Sequence, residues 1–228
     1  KILGSGAMGK VYLASDETGE NVAIKLIKEA SSQKMLDYFL REALLLQQLK
    51  HPNIVNLKDT GNHNNCPYLV MEFATGQNLL DIIGQGRLSP LNASKIMYYV
   101  LDALEYAQKL NFIHRDIKPE NIVVDLQKGM VKIVDLGLGK ILGESHGITA
   151  TGEILGSPFY MSPEQLHDAK YVDHRSDIYA VGATLYHMLT GVAPYSEFGA
   201  KMQVLYAKME NRVIPLSEKC PGLPPRIV

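Results

Sequence analysis

The segment that most limits what this chain can become is Ile113-His114-Arg115-Asp116-Ile117-Lys118-Pro119-Glu120-Asn121, followed by Asp135-Leu136-Gly137. A turn with solvated charges would account for any one of these polar residues but not for the set. Between them, two short apolar runs, Asn121 to Asp125 and Met130 to Asp135, flank Lys128-Gly129 and predict a β-hairpin. The acids, bases and amide are therefore tied to a short loop and to the end of a strand, a placement that suits chemistry.

Upstream the pattern is strand-like. Val11 to Ala14 and Val22 to Leu26 are β-rich runs separated by the turn-forming stretch Asp16-Glu17-Thr18-Gly19-Glu20. From Met35 to Leu49, apolar Leu36, Phe39, Leu40, Ala43, Leu44 and Leu46 recur at helical spacing, and His51-Pro52 ends the run. Further strands are expected near Ile54 to Leu57 and Tyr68 to Glu72. After Ala74 to Asn78 the pattern turns helical. Asn92 is placed to cap a helix through about Leu110, with Ile96, Met97, Val100, Leu101 and Leu104 on one face. Leu138 to Ser157, rich in Gly, Thr and Ser, reads as a long loop, and loops of that length in a compact domain are usually functional.

Charge and cysteine content narrow the classes. A formal net charge of -1 provides no global basic field for nucleic acid or an anionic membrane. Cys66 and Cys220 are too far apart for metal-ligand spacing, and a chain of 228 residues does not need a disulfide framework, so a reducing cytoplasm fits. The apolar run Ile178 to Leu189 is shorter than the roughly 18 residues of a membrane span and carries Thr184 and His187, so it reads as a core helix. The first residue is Lys1 and no signal peptide opens the chain, so a piece of a longer protein is expected.

Two weaker motifs precede the central one. Gly4-Ser5-Gly6-Ala7-Met8-Gly9-Lys10-Val11 has the form G-x-G-x-x-G-x-V, in which missing side chains let backbone N–H groups approach phosphates. A dinucleotide fingerprint would open a helix, whereas this loop runs into the strand Val11-Tyr12-Leu13-Ala14, which suits a lid over phosphates. Val22-Ala23-Ile24-Lys25 follows on the next strand, and Glu42 lies on the helix after it. Singly, Lys25 and Glu42 read as solvated charges. Paired, they would aim an ammonium at a nucleotide.

Together these segments resemble the eukaryotic-type protein kinases, with Gly-rich loop, Val-Ala-Ile-Lys, helix Glu, His-Arg-Asp, Asp-x-Gly and Ser162-Pro163-Glu164 in that family's order. The resemblance implies a two-lobed α+β fold, with an antiparallel sheet lobe over 1–74 and a helical lobe over 75–228, both clipped at the ends. It implies ATP and Mg2+. Asp116 would orient the substrate hydroxyl, Asn121 and Asp135 would hold metal, and Lys118 and Lys25, the latter paired with Glu42, would neutralise phosphate charge. Leu3, Gly4, Gly6, Gly9, Val11, Ala23, Lys25, Met71, Glu72, Ala74 and Val123 would line the nucleotide site, with the backbone of Glu72 and Ala74 at the adenine edge. By the same resemblance His114 is structural and packs on Leu136, while Asp177 caps amides around His114-Arg115.

Lys118-Pro119-Glu120-Asn121 resembles the serine/threonine branch, and Ser162-Pro163-Glu164-Gln165 its bacterial members, many of them cytosolic domains tethered to a membrane segment. Protein hydroxyls are then the substrates, with Gly156 to Glu164 as a peptide-docking loop. Thr149 and Thr151 sit where such kinases carry activating phosphates, within reach of Arg115. Two patterns depart from the family. Leu136 replaces the usual Phe, and the Arg that pairs with the family's equivalent of Glu164 lies beyond a segment like Leu223-Pro224-Pro225, which leaves a carboxylate expected to cost stability. Two other classes fit parts of the sequence. A pseudokinase scaffold is disfavoured by the presence of Lys25, Asp116, Asn121 and Asp135 together. A small-molecule phosphotransferase is disfavoured by the docking loop.

Overall fold

The computed structural model describes residues 1–6, 9–27, 39–40, 43–44, 46–64, 66–135, 147–148, 154–155, 157–167 and 172–224. Glu42, Leu136, Gly137, Thr149, Thr151 and Gly156 lie outside them. The first third is a five-stranded antiparallel sheet of β1 (Ile2–Gly6), β2 (Gly9–Ser15), β3 (Asn21–Ile27), β4 (Leu57–His63) and β5 (Cys66–Glu72), in the order β1-β2-β3-β5-β4. Short-range chemistry sets the β2–β3 turn: the Asp16 carboxylate accepts from the amides of Thr18 and Glu20, each at 2.9 Å.

Gly9 is where the glycine-rich segment needs a glycine on steric grounds. Its φ is +149°, and a Cβ there would overlap the Leu26 carbonyl oxygen of β3. Gly9→Ala is therefore expected to destabilise the protein by roughly 1–3 kcal/mol, read as a lowered thermal midpoint. An unchanged midpoint would show that the turn tolerates a side chain.

Register decides which side chains meet. Val11 stands opposite Lys25, and Ala23 opposite Met71. Because cross-strand partners share a face and side chains alternate along a strand, Val11, Ala23, Lys25 and Met71 all lie on one face of the sheet. Phe39, Ala43 and Leu46 are buried in one apolar cluster with Ala23 and Met71 of that face, but Leu44 is 57% exposed. The expected face is thus narrower than the apolar pattern, since Leu44 sits about 100° around the helix from Ala43.

The strand expected near Ile54 is also different. Ile54 makes an isolated parallel bridge to Ile133, and the edge strand begins at Leu57. Asn53 to Val55 instead fastens the sheet region to a second hairpin: Val55 N–H donates to Ile133 and Ile133 N–H to Asn53, each at 2.9 Å. That hairpin is β7 (Ile122–Asp125) and β8 (Met130–Ile133), extended by β6 (Gln77–Asn78). A two-stranded piece, β9 (Gly147–Ile148) with β10 (Ile154–Leu155), follows.

The rest is helical: α1 (Leu79–Gly84), α2 (Pro90–Lys109), α3 (Pro163–His167), α4 (His174–Thr190), α5 (Lys201–Met209) and α6 (Leu216–Lys219). The cap of α2 is Ser89 rather than Asn92; the Ser89 hydroxyl accepts from the Asn92 amide at 3.3 Å and Pro90 takes the first turn. Ile96, Met97, Val100 and Leu104 are buried as the periodicity predicts, with Ala93, Ala103 and Ala107, while Leu101 is turned outward. The antiparallel sheet lobe with a helical body is the expected two-lobed architecture. Among the described residues no helix is long and apolar enough to cross a membrane.

Candidate active site

The loop after α2 leaves regular structure with Arg115 in the left-handed region, φ 64°. That conformation is held from outside the loop. The Asp177 carboxylate, in the first turn of α4, accepts from the amides of His114 at 2.8 Å and Arg115 at 2.7 Å. Charge-assisted bonds of this length are the strong kind, and they fulfil the expected capping role of Asp177. His114 is buried, and its Nδ1 accepts from the Asp116 amide at 3.2 Å, which places it in support of the loop. Gln165 adds a further tie through its amide, which donates to the Arg115 carbonyl at 3.0 Å.

On this support Asp116, Lys118 and Asn121 converge. Asn121 Nδ2 donates to the Asp116 carbonyl at 2.8 Å and to its carboxylate at 3.0 Å, and Lys118 Nζ lies 3.0 Å from the same carboxylate. Burial works against the Lys118 ammonium, but the carboxylates of Asp116, Glu120 and Asp135 outweigh it and hold its pKa above the ordinary lysine value.

Asp135 follows β8, and the pairing of Ile122 with Ile133 brings it back beside Asn121. The Val134 amide donates to the Asn121 carbonyl at 3.0 Å, fixing that approach. Lys25 closes the gap to the sheet lobe: its Nζ bonds both Asp135 oxygens, at 2.8 and 3.0 Å. The site is thus continuous from the Val11, Ala23, Lys25 and Met71 face to the loop of Asp116. The expected partner of Lys25, Glu42, lies outside the described residues.

The remaining positions expected at a nucleotide site lie on β1, β5 and β7 or just beyond β5. Leu3, Gly4 and Gly6 are on β1, with Gly4 opposite Val11 and Gly6 opposite Gly9. Val123 is half-buried on β7. The Glu72 amide donates to the Asn56 carbonyl at 2.9 Å, so an adenine contact at Glu72 falls to its carbonyl. Its side chain makes an ion pair of 2.6 Å with Lys132 that the sequence patterns did not flag. Ala74 is half-buried just beyond β5.

A magnesium ion fits the donor set of Asn121 and Asp135. Asn121 spends its Nδ2 on Asp116, which leaves an amide oxygen as its ligating atom, and Asp135 keeps carboxylate lone pairs beyond those used by Lys25. Magnesium prefers oxygen and keeps several waters, so it does not require a cage.

One expectation is corrected here. Glu164 is half-buried and not orphaned, because the Ser176 hydroxyl donates to it at 2.7 Å. Burial pushes its pKa up, but the bonds from Ser176, its own amide and Ser162 prevail and hold it below the usual carboxylate range. The carboxylate expected to be left without a partner therefore has hydrogen-bond donors.

Residues 1–221 match the protein kinase domain family. The chain is 37% identical, over 98% of its length and 34% of the relative's, to the probable serine/threonine-protein kinase PknB of Bifidobacterium longum. It is 39% identical, over 86% of its length and 30% of the relative's, to the serine/threonine-protein kinase PrkC of Bacillus subtilis. The chain thus spans about a third of the length of these curated relatives. Among solved structures, Rad53 residues 1-466 in complex with AMP-PNP superposes with a TM-score of 0.81 at 28% identity, covering 100% of this chain and 56% of that one. The PknI kinase domain of Mycobacterium tuberculosis superposes at 0.74 over 98% of this chain and 80% of that one; at 24% identity it speaks for the fold alone. Motif order, fold and family match agree: the chain belongs to the protein kinase domain family.

Proposed function

We propose that this chain is the catalytic domain of a serine/threonine protein kinase that transfers the γ-phosphate of ATP to protein hydroxyls. Residues 1–74 and 75–228 form its two lobes, with ATP between them. The observation that carries this reading is the convergence of Lys118 Nζ and Asn121 Nδ2 on the Asp116 carboxylate, each at 3.0 Å. A carboxylate so oriented can accept the proton of a serine or threonine hydroxyl as its oxygen bonds the γ-phosphorus and the bond to the β-phosphate oxygen breaks. Lys118 meets the charge on the transferring group, and Lys25 leaves Asp135 for the α- and β-phosphates or shares both. Magnesium held by Asn121 and Asp135 would supply further neutralisation of phosphate charge. Val11, Ala23, Met71 and Val123 enclose the adenine, and Leu3 and the glycines at 4, 6 and 9 cover the phosphates.

The names of the relatives support the serine/threonine class. The domain works in the cytoplasm, on proteins rather than nucleic acid. Chelating magnesium from the full-length protein is expected to stop transfer to a serine peptide, and restoring magnesium to return it. Transfer that continues under chelation would contradict the metal assignment.

Regulation falls on Thr149 and Thr151, which lie outside the described residues. A phosphate there brings about -1.5 to -2 charge and three acceptor oxygens, enough to order a loop against a guanidinium such as Arg115. Autophosphorylation at one or both is expected, with the double Thr→Ala change lowering activity about tenfold or more, a loss of roughly 1.4 kcal/mol in transition-state stabilisation. Phosphopeptide mapping of an active preparation that finds both unmodified would rule the mechanism out.

A further inference from the structure

Helix α5 turns one lysine into the protein. Lys208 is 2% exposed and shares the buried side of the helix with Val204, Leu205 and Ala207. Among the described residues no carboxylate lies within ion-pair distance of it. Its Nζ donates instead to three backbone carbonyls, those of Pro158 at 2.8 Å, Phe159 at 3.0 Å and Met161 at 2.5 Å. The rings of Tyr179 and Tyr195 flank it, with centroids 4.9 and 5.3 Å away, so the charge also faces π-electron density.

An ammonium has three N–H donors, and here each has a carbonyl. The cost of this arrangement is visible, since burial pulls the Lys208 pKa down to about 7. What the lysine holds is a stretch of turn, residues 158–160 and Met161, that belongs to neither a strand nor a helix. Backbone of that kind has no ladder to fix its carbonyls, and buried carbonyls must find donors. The same stretch is held from the other side by α4, where the Tyr160 hydroxyl and His187 Nδ1 are 2.7 Å apart. Burial keeps the His187 pKa below its ordinary value, favouring the neutral ring that accepts the phenol proton. Two helices thus clamp the segment between Ser157 and Ser162, which Gln165 in turn joins to the Arg115 carbonyl of the catalytic loop.

We propose that Lys208 is a positioning residue for the protein substrate: it fixes the backbone of residues 158–161 in the shape that receives the peptide flanking the phosphorylated hydroxyl. It acts on peptide affinity and not on ATP, whose site is built from the sheet face and from Asp135. This rests on the kinase reading above.

The test uses the full-length protein and a serine peptide selected by the wild type from a degenerate library. Lys208→Met keeps the length and apolar stem of the side chain and removes its donors. The expected result is a peptide KM about tenfold higher, equivalent to roughly 1.4 kcal/mol. The ATP KM and the rate of ATP hydrolysis without peptide should stay within twofold. A rise in peptide KM of less than threefold overturns the proposal, as does an equal rise in both KM values, which would mark a merely structural residue. If Lys208→Met lacks a cooperative melt, the same ratio is read on Lys208→Gln, which retains two donors; loss of the melt in both assigns Lys208 to folding and overturns it. A wild type that transfers no phosphate fails the kinase reading instead, before any variant is made.

Discussion

Replacing Asp116 with Asn is expected to lower phosphate transfer by about 10²–10⁴-fold, the span that a positioned general base contributes. Asp116 receives Asn121 Nδ2 and Lys118 Nζ on its carboxylate, so its orientation is fixed before any substrate arrives. Asparagine keeps the shape and one acceptor oxygen. It loses the negative charge that draws the hydroxyl proton and balances Lys118. The ATP KM should stay within about twofold, because the adenine and phosphate contacts proposed above lie on other residues; a change confined to kcat marks an interaction made in the transition state. Steady-state kinetics on the full-length protein decide this, and turnover within tenfold of the wild type would show that Asp116 is not the hydroxyl-orienting group.

Asp135→Asn should have a different signature. Asp135 is bonded at 2.8 and 3.0 Å by Lys25, whose side chain is 8% exposed, so the substitution leaves a buried ammonium with a weaker partner. Removing one member of a buried pair costs about 3–5 kcal/mol, but Asp135 is itself 33% exposed and Asn keeps an acceptor, so a loss of about 1–2 kcal/mol is expected. Magnesium–ATP should then bind at least about tenfold more weakly, and because ligand stabilisation follows affinity, it should raise the thermal midpoint much less than in the wild type. Lys25→Met combined with Asp135→Asn should cost less than the sum of the two changes, since they share one ion pair. Melts with and without magnesium–ATP read all three quantities. A wild-type ligand shift in Asp135→Asn would remove this residue from the metal site.

The parts of the fold that were legible in the sequence were those governed by local chemistry. The Asp16 turn, the two hairpins and the long α2 and α4 segments follow from turn residues and periodicity alone. The Asp177 contact, 62 and 63 residues from the amides it caps, was reached only through the family resemblance. What the pattern missed depends on tertiary neighbours. Leu44 and Leu101 look apolar enough for a core but point away from it, because one residue of helix turns a side chain by about 100°. Ser89 displaces Asn92 as a cap because Pro90 fits the first turn. Ile54 bridges to β8 because a strand's partner is not written in its own residues. Glu164 finds a hydroxyl in Ser176, twelve residues on, where the sequence pattern expected a carboxylate left without its guanidinium.

Lys208 is the instructive case. Its spacing from Val204 places it on the buried side of α5, which could have flagged it, yet lysine composition says surface. Only the positions of three distant carbonyls show why it is inside. The Glu72–Lys132 pair was hidden for the same reason.

The most direct test of the central assignment is to incubate the full-length protein with γ-labelled ATP, magnesium and a mixed serine, threonine and tyrosine peptide pool, and to identify the labelled amino acid, with the Asp116→Asn protein run alongside. Label on serine and threonine in the wild type, lost in the variant, is the predicted result. Bound nucleotide without transfer, or label confined to tyrosine, would contradict it.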